Sequence, residues 1–242
     1  MAVSAPHIGT LNEGPLHEAL KALYVEEQTL RTDRAETEVP IGNFVADVRA
    51  GDDVLYEIQT GSFGPLKRKL ATLLEAHRVV LVFPIAQVRY ILKVPEDRDE
   101  APTRRRSPKR GSIAHVVEAL VSIPMLLDHP NFELEVVLIA EEEVRVFDPG
   151  KVRRRNGWRV VNRRLLEVLD RQRFRSVQDL FSLAPGELPE EFTTADLATA
   201  MDHPRWLAQK LAYCLREARA VEICGKEGNA LRYRRLSGVC EG

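Results

Sequence analysis

Asp47 and Glu57 are the two side chains whose types and spacing point most directly to chemistry. They fall in neighbouring β-prone runs, Phe44 to Arg49 and Val54 to Thr60, joined by Gly51-Asp52-Asp53, a turn signal suited to a hairpin. Side chains alternate faces along a strand, so Glu57 and Gln59 point one way while Tyr56 and Ile58 point the other. Asp47 is set apart from Phe44, Ala46 and Val48 in the same manner, and the hairpin can bring Asp47 and Glu57 onto one polar face. Two carboxylates held close repel each other unless a proton or a cation intervenes, and an oxygen-ligated divalent ion such as Mg²⁺ or Mn²⁺ is one resolution. Such an ion also binds phosphate, polarises a phosphoryl oxygen and lowers the pKa of bound water, which phosphodiester hydrolysis requires. The bland alternative is that both acids decorate an exposed sheet face with partners such as Arg49.

The elements that must position this pair are legible as periodicities. Pro15 to Leu30 has Leu16, Leu20, Leu23 and Tyr24 at helical spacing. Three β-prone runs follow, Thr37 to Ile41, Phe44 to Arg49 and Val54 to Thr60, with Gly42-Asn43 as the first turn. Ser62 can cap a helix over Phe63 to His77, with Leu66, Leu70, Leu73 and Leu74 inward. Val79 to Phe83 then reads as a buried strand and Val88 to Val94 as another. Ile113 to Ile123 reads as a helix stopped by Pro124, Phe132 to Ala140 and Val144 to Phe147 as strands around a solvated acidic turn, Glu141 to Glu143, and Leu165, Leu166 and Leu169 as a short helix. The expected class is α/β, a mixed sheet flanked by helices.

This order, with Asp47 on the second strand and Glu57-Ile58-Gln59 on the third, resembles the PD-(D/E)XK nuclease superfamily over residues 13 to 94. The resemblance implies that Asp47, Glu57 and the backbone carbonyl of Ile58 hold Mg²⁺ or Mn²⁺, that Glu18 on the first helix assists, and that DNA is cleaved. Gln59 departs from the family's lysine. An amide supplies no positive charge and no base at neutral pH, so Gln59 would only orient the attacking water, leaving Lys67 on the following helix to bring the charge.

The net charge of −1 hides two basic segments. Arg104, Arg105, Arg106, Lys109 and Arg110 form a dense loop between Pro102 and Gly111, and ten basic residues lie between Lys151 and Arg175, Arg153, Arg154 and Arg155 among them, opposed locally only by Glu167 and Asp170. Either run is a solvated face or a polyanion surface, and two in one chain point toward nucleic acid.

A boundary near Phe174 divides a nuclease-like domain with its basic extension, residues 1–173, from a smaller domain, residues 174–242. In the latter, Ser176 to Leu183, a helix opened by Thr193 and Thr194, a second helix from Pro204 to Arg219, and the runs Ala220 to Cys224 and Ala230 to Leu236 are similar to a winged helix domain. That resemblance places Arg205, Trp206, Gln209 and Lys210 near bases, and Lys226 and Arg232 near phosphates. The same surfaces serve equally as a docking site for a partner protein or for a homodimer.

Composition narrows the remaining classes. A hydrophobic share of 44% with 29% charged residues is that of a globular chain, and the longest apolar run, Val79 to Ala86, is too short to span a bilayer. The start, MAVSAPHIGT, has no secretory pattern, so a cytoplasmic protein is expected. Cys214, Cys224 and Cys240 lack metal or disulfide spacing and read as reduced packing thiols. The six histidines are scattered and read as structural, and no P-loop, dinucleotide fingerprint or serine-hydrolase elbow is present. The sequence leaves three readings: a Mg²⁺-dependent DNA nuclease, an inactive nuclease fold that binds DNA or regulates, and an arginine-rich module that holds RNA or a protein.

Overall fold

The computed structural model describes residues 14–51, 53–96, 100–151 and 154–236. Two compact units share the chain by turns: residues 1–60, 80–112 and 136–171 form the first, and residues 61–79, 113–135 and 172–242 the second. The last crossing lies between residues 171 and 172, and the second unit also takes up residues 61–79 and 113–135.

The fold is a mixed α/β arrangement. Pro15 sits at the start of α1 (Pro15–Thr32), where a missing N–H costs nothing, and Asp33 ends the helix in the left-handed conformation with its N–H on the Thr29 carbonyl at 2.9 Å. Leu16, Leu20 and Tyr24 pack on Val48, Tyr56, Ile58, Val80, Val82, Val137 and Ile139 of the sheet beneath. That sheet has the order β1-β2-β3-β4-β6-β7, with β5 on β4. Its strands are β1 (Ala35–Ile41), β2 (Phe44–Ala50), β3 (Val54–Ile58), β4 (Arg78–Val94), β5 (Thr103–Arg106), β6 (Phe132–Phe147) and β7 (Trp158–Phe174). Gly42 takes φ +59° in the tight turn between β1 and β2, a conformation costly for other residues.

Four expectations are corrected. Val79 to Phe83 and Val88 to Val94 are one strand, β4, which runs through Pro84. The proline falls between the part of β4 where Val82 accepts from Gln59 N and the part paired with β5, Tyr90 to Lys93. The basic loop at Arg104 to Arg106 is instead strand β5. Glu141 to Glu143 are no turn but lie in mid-strand in β6 and are buried. Leu165, Leu166 and Leu169 belong to the extended β7, not to a helix. Both last corrections have one cause. Arginines of β7 meet glutamates of β6 in reverse order, Arg163 with Glu141, Arg173 with Glu135 and Arg175 with Glu133, so cross-strand pairing overrides the helical spacing of the leucines.

The second unit holds α2 (Lys67–Leu74), the short α3 (Val117–Leu120) and the C-terminal elements. The latter are a 3₁₀ turn (Val177–Leu183), β8 (Glu191–Phe192), α4 (Thr194–Met201), α5 (Arg205–Glu217), β9 (Val221–Glu227) and β10 (Ala230–Arg235), with a three-stranded sheet in the order β8-β10-β9. Ser176 with Asp179, and Thr193 with Asp196, form capping boxes at two of these helical starts. Within α5, Leu207, Leu211 and Leu215 are the buried stripe, joined by Cys214, whose thiol is pushed up to about 12 by burial. Cys224 is half-buried and free, and Cys240 lies outside the described residues. No helix among the described residues is long and apolar enough to cross a membrane.

Candidate functional site

Asp47 and Glu57 are both inside the protein, 7% and 2% exposed, so the reading of two acids on an open sheet face does not hold. β2 and β3 pair through Arg49↔Leu55 and Val48↔Tyr56, and Asp47 and Glu57 are the next residues of the two strands beyond that ladder. There the Asp47 carboxylate enters the hydrogen bonding of the sheet: Oδ2 accepts the Ile58 N–H at 2.7 Å. In an extended strand a residue's N–H and C=O leave by the same edge, so the Ile58 carbonyl is also directed toward β2. Gln59 is half-buried just beyond β3, and its backbone N–H goes the other way, to the Val82 carbonyl of β4.

The side chain of α1 that reaches this pair is His17. Its Nε2 lies 3.2 Å from Asp47 Oδ2, and the residue is 9% exposed. Glu18, the acid expected to assist, is exposed in the first turn of α1. His17 begins a polar seam along the helix: Lys21, one turn on, pairs with Glu38 of β1, Tyr24 packs its ring 5.4 Å from Tyr56, and Gln28 is buried. The signal was available as polar or semipolar residues at 17, 21, 24 and 28, a helical stripe facing inward. A cavity of about 200 Å³ opens beside His17, lined among others by Thr60, Asn162 and Arg163.

Among the described residues no group of three or more His, Cys, Asp or Glu is placed to hold a metal ion. The Ile58 N–H and the His17 ring both meet Asp47 at Oδ2.

The other residues singled out in the sequence divide sharply. Lys67 opens α2 in the second unit with an exposed side chain, beside Arg68. Arg104 Nε donates to Glu142 at 2.8 Å and its guanidinium stacks 3.9 Å from the Tyr90 ring, whereas Arg105 and Arg106 are exposed. Arg153 and the side chains of Arg154 and Arg155 lie outside the described residues. The rest of that basic run is opposed after all, by acids distant in sequence: Arg159 by Asp148, Arg163 by Glu141, Arg164 by Glu142, Arg171 by Glu27, and Arg173 by Glu133 and Glu135. In α5, Arg205, Trp206 and Gln209 are exposed and Lys210 is half-buried. Lys226 is exposed at the hairpin tip, while Arg232 sits 3.6 Å from Glu191 and 3.8 Å from Glu227.

A family model described as a domain of unknown function (DUF8091) matches residues 14–175. An uncharacterized protein of Treponema pallidum (strain Nichols) is 35% identical over 191 residues, 79% of this chain and 73% of its own length. No solved structure matches.

Proposed function

This chain belongs to the DUF8091 family, whose matched span contains Asp47, Glu57 and His17, and from that premise we propose that it is a divalent-cation-dependent phosphodiester hydrolase acting on DNA, related in design to the PD-(D/E)XK nucleases. One observation carries the reading: two buried carboxylates, Asp47 and Glu57, on neighbouring strands, with an imidazole and a backbone amide on one of them. Asp47, Glu57 and the Ile58 carbonyl would hold Mg²⁺ or Mn²⁺. When bound, the ion supplies charge for a phosphoryl oxygen and a more acidic water. His17 and the Ile58 N–H fix the Asp47 carboxylate in one orientation. Gln59 hydrogen-bonds the attacking water without taking its proton. Arg163 lines the cavity beside His17, with its guanidinium held on Glu141 at 2.8 Å.

The C-terminal elements support DNA as the substrate. A helical turn, strand, two helices and a hairpin, with the first strand beside the last, is the order of a winged helix domain. In this reading α5 presents Arg205, Trp206, Gln209 and Lys210 to bases, and the hairpin brings Lys226 and Arg232 to phosphates. Gln59 favours a second reading, an inactive nuclease fold that binds DNA as a regulatory module. The two are separated by incubating duplex, single-stranded and branched DNA with the protein in Mg²⁺ and in Mn²⁺. Metal-dependent cleavage that disappears in Glu57→Gln and declines less in Gln59→Ala supports the hydrolase; tight binding without cleavage of any substrate favours the second reading.

A further inference from the structure

We propose that β7 is a dimerisation edge, along which two copies of this chain pair antiparallel about Leu166 and continue the sheet from one protomer into the other. β7 is 17 residues long and stands at the end of the strand order, with β6 as its one strand neighbour among the described residues. A long edge strand presents a row of backbone donors and acceptors that template pairing unless something blocks it. Proteins often block such an edge with charges of one sign. β7 instead carries both signs, in an order that complements itself when reversed.

From Arg163 to Asp170 the strand reads Arg-Arg-Leu-Leu-Glu-Val-Leu-Asp, basic before the two leucines and acidic after them. With a two-fold axis through Leu166 and normal to the sheet, Leu166 faces Leu166 of the second copy. Leu165 then faces Glu167 and Arg163 faces Leu169. Diagonally, Arg164 meets Asp170 of the second copy, at the distance over which long side chains on one face interact. No like charges stand directly opposite between residues 161 and 171. The axis residue is also conspicuous: Leu166 is 45% exposed and Val161 42%, apolar side chains left open to solvent on this edge strand. Arg164 can take part, since its side chain is 55% exposed and touches Glu142 only at 3.5 Å. An isologous contact of this kind closes on itself and yields a dimer, not a fibre.

The test uses sedimentation velocity of the full chain across a concentration series, with Leu166→Lys and Leu166→Cys as variants and circular dichroism to confirm folding of each. The wild type is expected to sediment as a dimer, and Leu166→Lys, which sets two ammonium groups face to face, to raise the dimer dissociation constant at least tenfold. Leu166→Cys is expected to form a reducible interchain crosslink under mild oxidation, where Ile223→Cys, exposed in the C-terminal hairpin, does not. A wild type that is monomeric throughout, a Leu166→Lys dimer of unchanged affinity, or no crosslink at position 166 would each overturn the proposal.

Discussion

The first unit buries carboxylates in two places and answers them differently. On β6, Glu141 is wholly buried and lies between Arg89 Nε at 2.5 Å and Arg163 Nη2 at 2.8 Å, with Glu142 and Glu143 flanked by Arg104, Arg164 and Arg145. Guanidinium groups stay charged at any working pH and dock with fixed geometry, so this lattice is permanently neutralised and serves to hold β4, β5, β6 and β7 in register. At Asp47 the partners include a backbone N–H and an imidazole, a neutral donor and a group whose charge depends on pH. The contrast is between carboxylates matched by guanidinium groups and a carboxylate whose partners include an imidazole and a backbone N–H. It also explains why a basic segment is a poor guide to nucleic acid: the arginines between residues 159 and 175 are paired with acids elsewhere in the chain, Arg163 and Arg164 with this lattice.

The comparison is broken most easily at Glu141. Glu141→Ala leaves Arg89 and Arg163 facing a buried void, and a loss of about 3 kcal/mol or more is expected in urea denaturation. Asp47→Ala should cost less, about 1–3 kcal/mol, since it strips the acceptor from the Ile58 N–H. Asp47→Asn keeps an acceptor there and should stay nearer the wild-type midpoint. If Asp47→Asn proved as destabilising as Glu141→Ala, both clusters would be structural.

On the basic surface, the exposed Arg105 and Arg106 should act on DNA affinity and the paired Arg164 on stability. Neutralising the first two is expected to reduce the magnitude of the salt slope of log K by about 0.9 for each phosphate left without its arginine. An unchanged slope would make them a solvated face.

The smallest expected effect lies in the second unit. His203, whose ring lies 5.6 Å from that of His115, is held below the ordinary histidine value first by burial and then by the charge of His115. Unfolding restores its usual affinity, so the unfolded chain binds more protons. Stability is therefore full above about pH 6.5 and falls as the pH drops toward the folded value. Thermal melts between pH 7 and 5 should show that decline, and His203→Gln should flatten it.

Much of the site's scaffold was legible in the sequence because its cues are local. The helix from Pro15, the turn at Gly42-Asn43 and the β2–β3 hairpin that carries Asp47 and Glu57 all follow from periodicity and turn residues. What was not legible depends on partners far away in the chain. Glu141 to Glu143 look like a solvated turn until Arg89, Arg104 and Arg163 arrive from other strands. Leu165, Leu166 and Leu169 look helical until β6 pairs with them. His17 was passed over because a lone histidine carries no spacing signal, although its place at the head of a buried polar stripe marks it in retrospect.

The central claim, that Asp47 and Glu57 form an ion site and the β6 glutamates do not, is tested most directly by titrating Mn²⁺ into wild type and Asp47→Asn, following the paramagnetic signal of the free ion. Saturable binding at one site is expected in the wild type, with its loss in a folded Asp47→Asn protein. Absence of binding in the wild type, or equal affinity in the two, would contradict it.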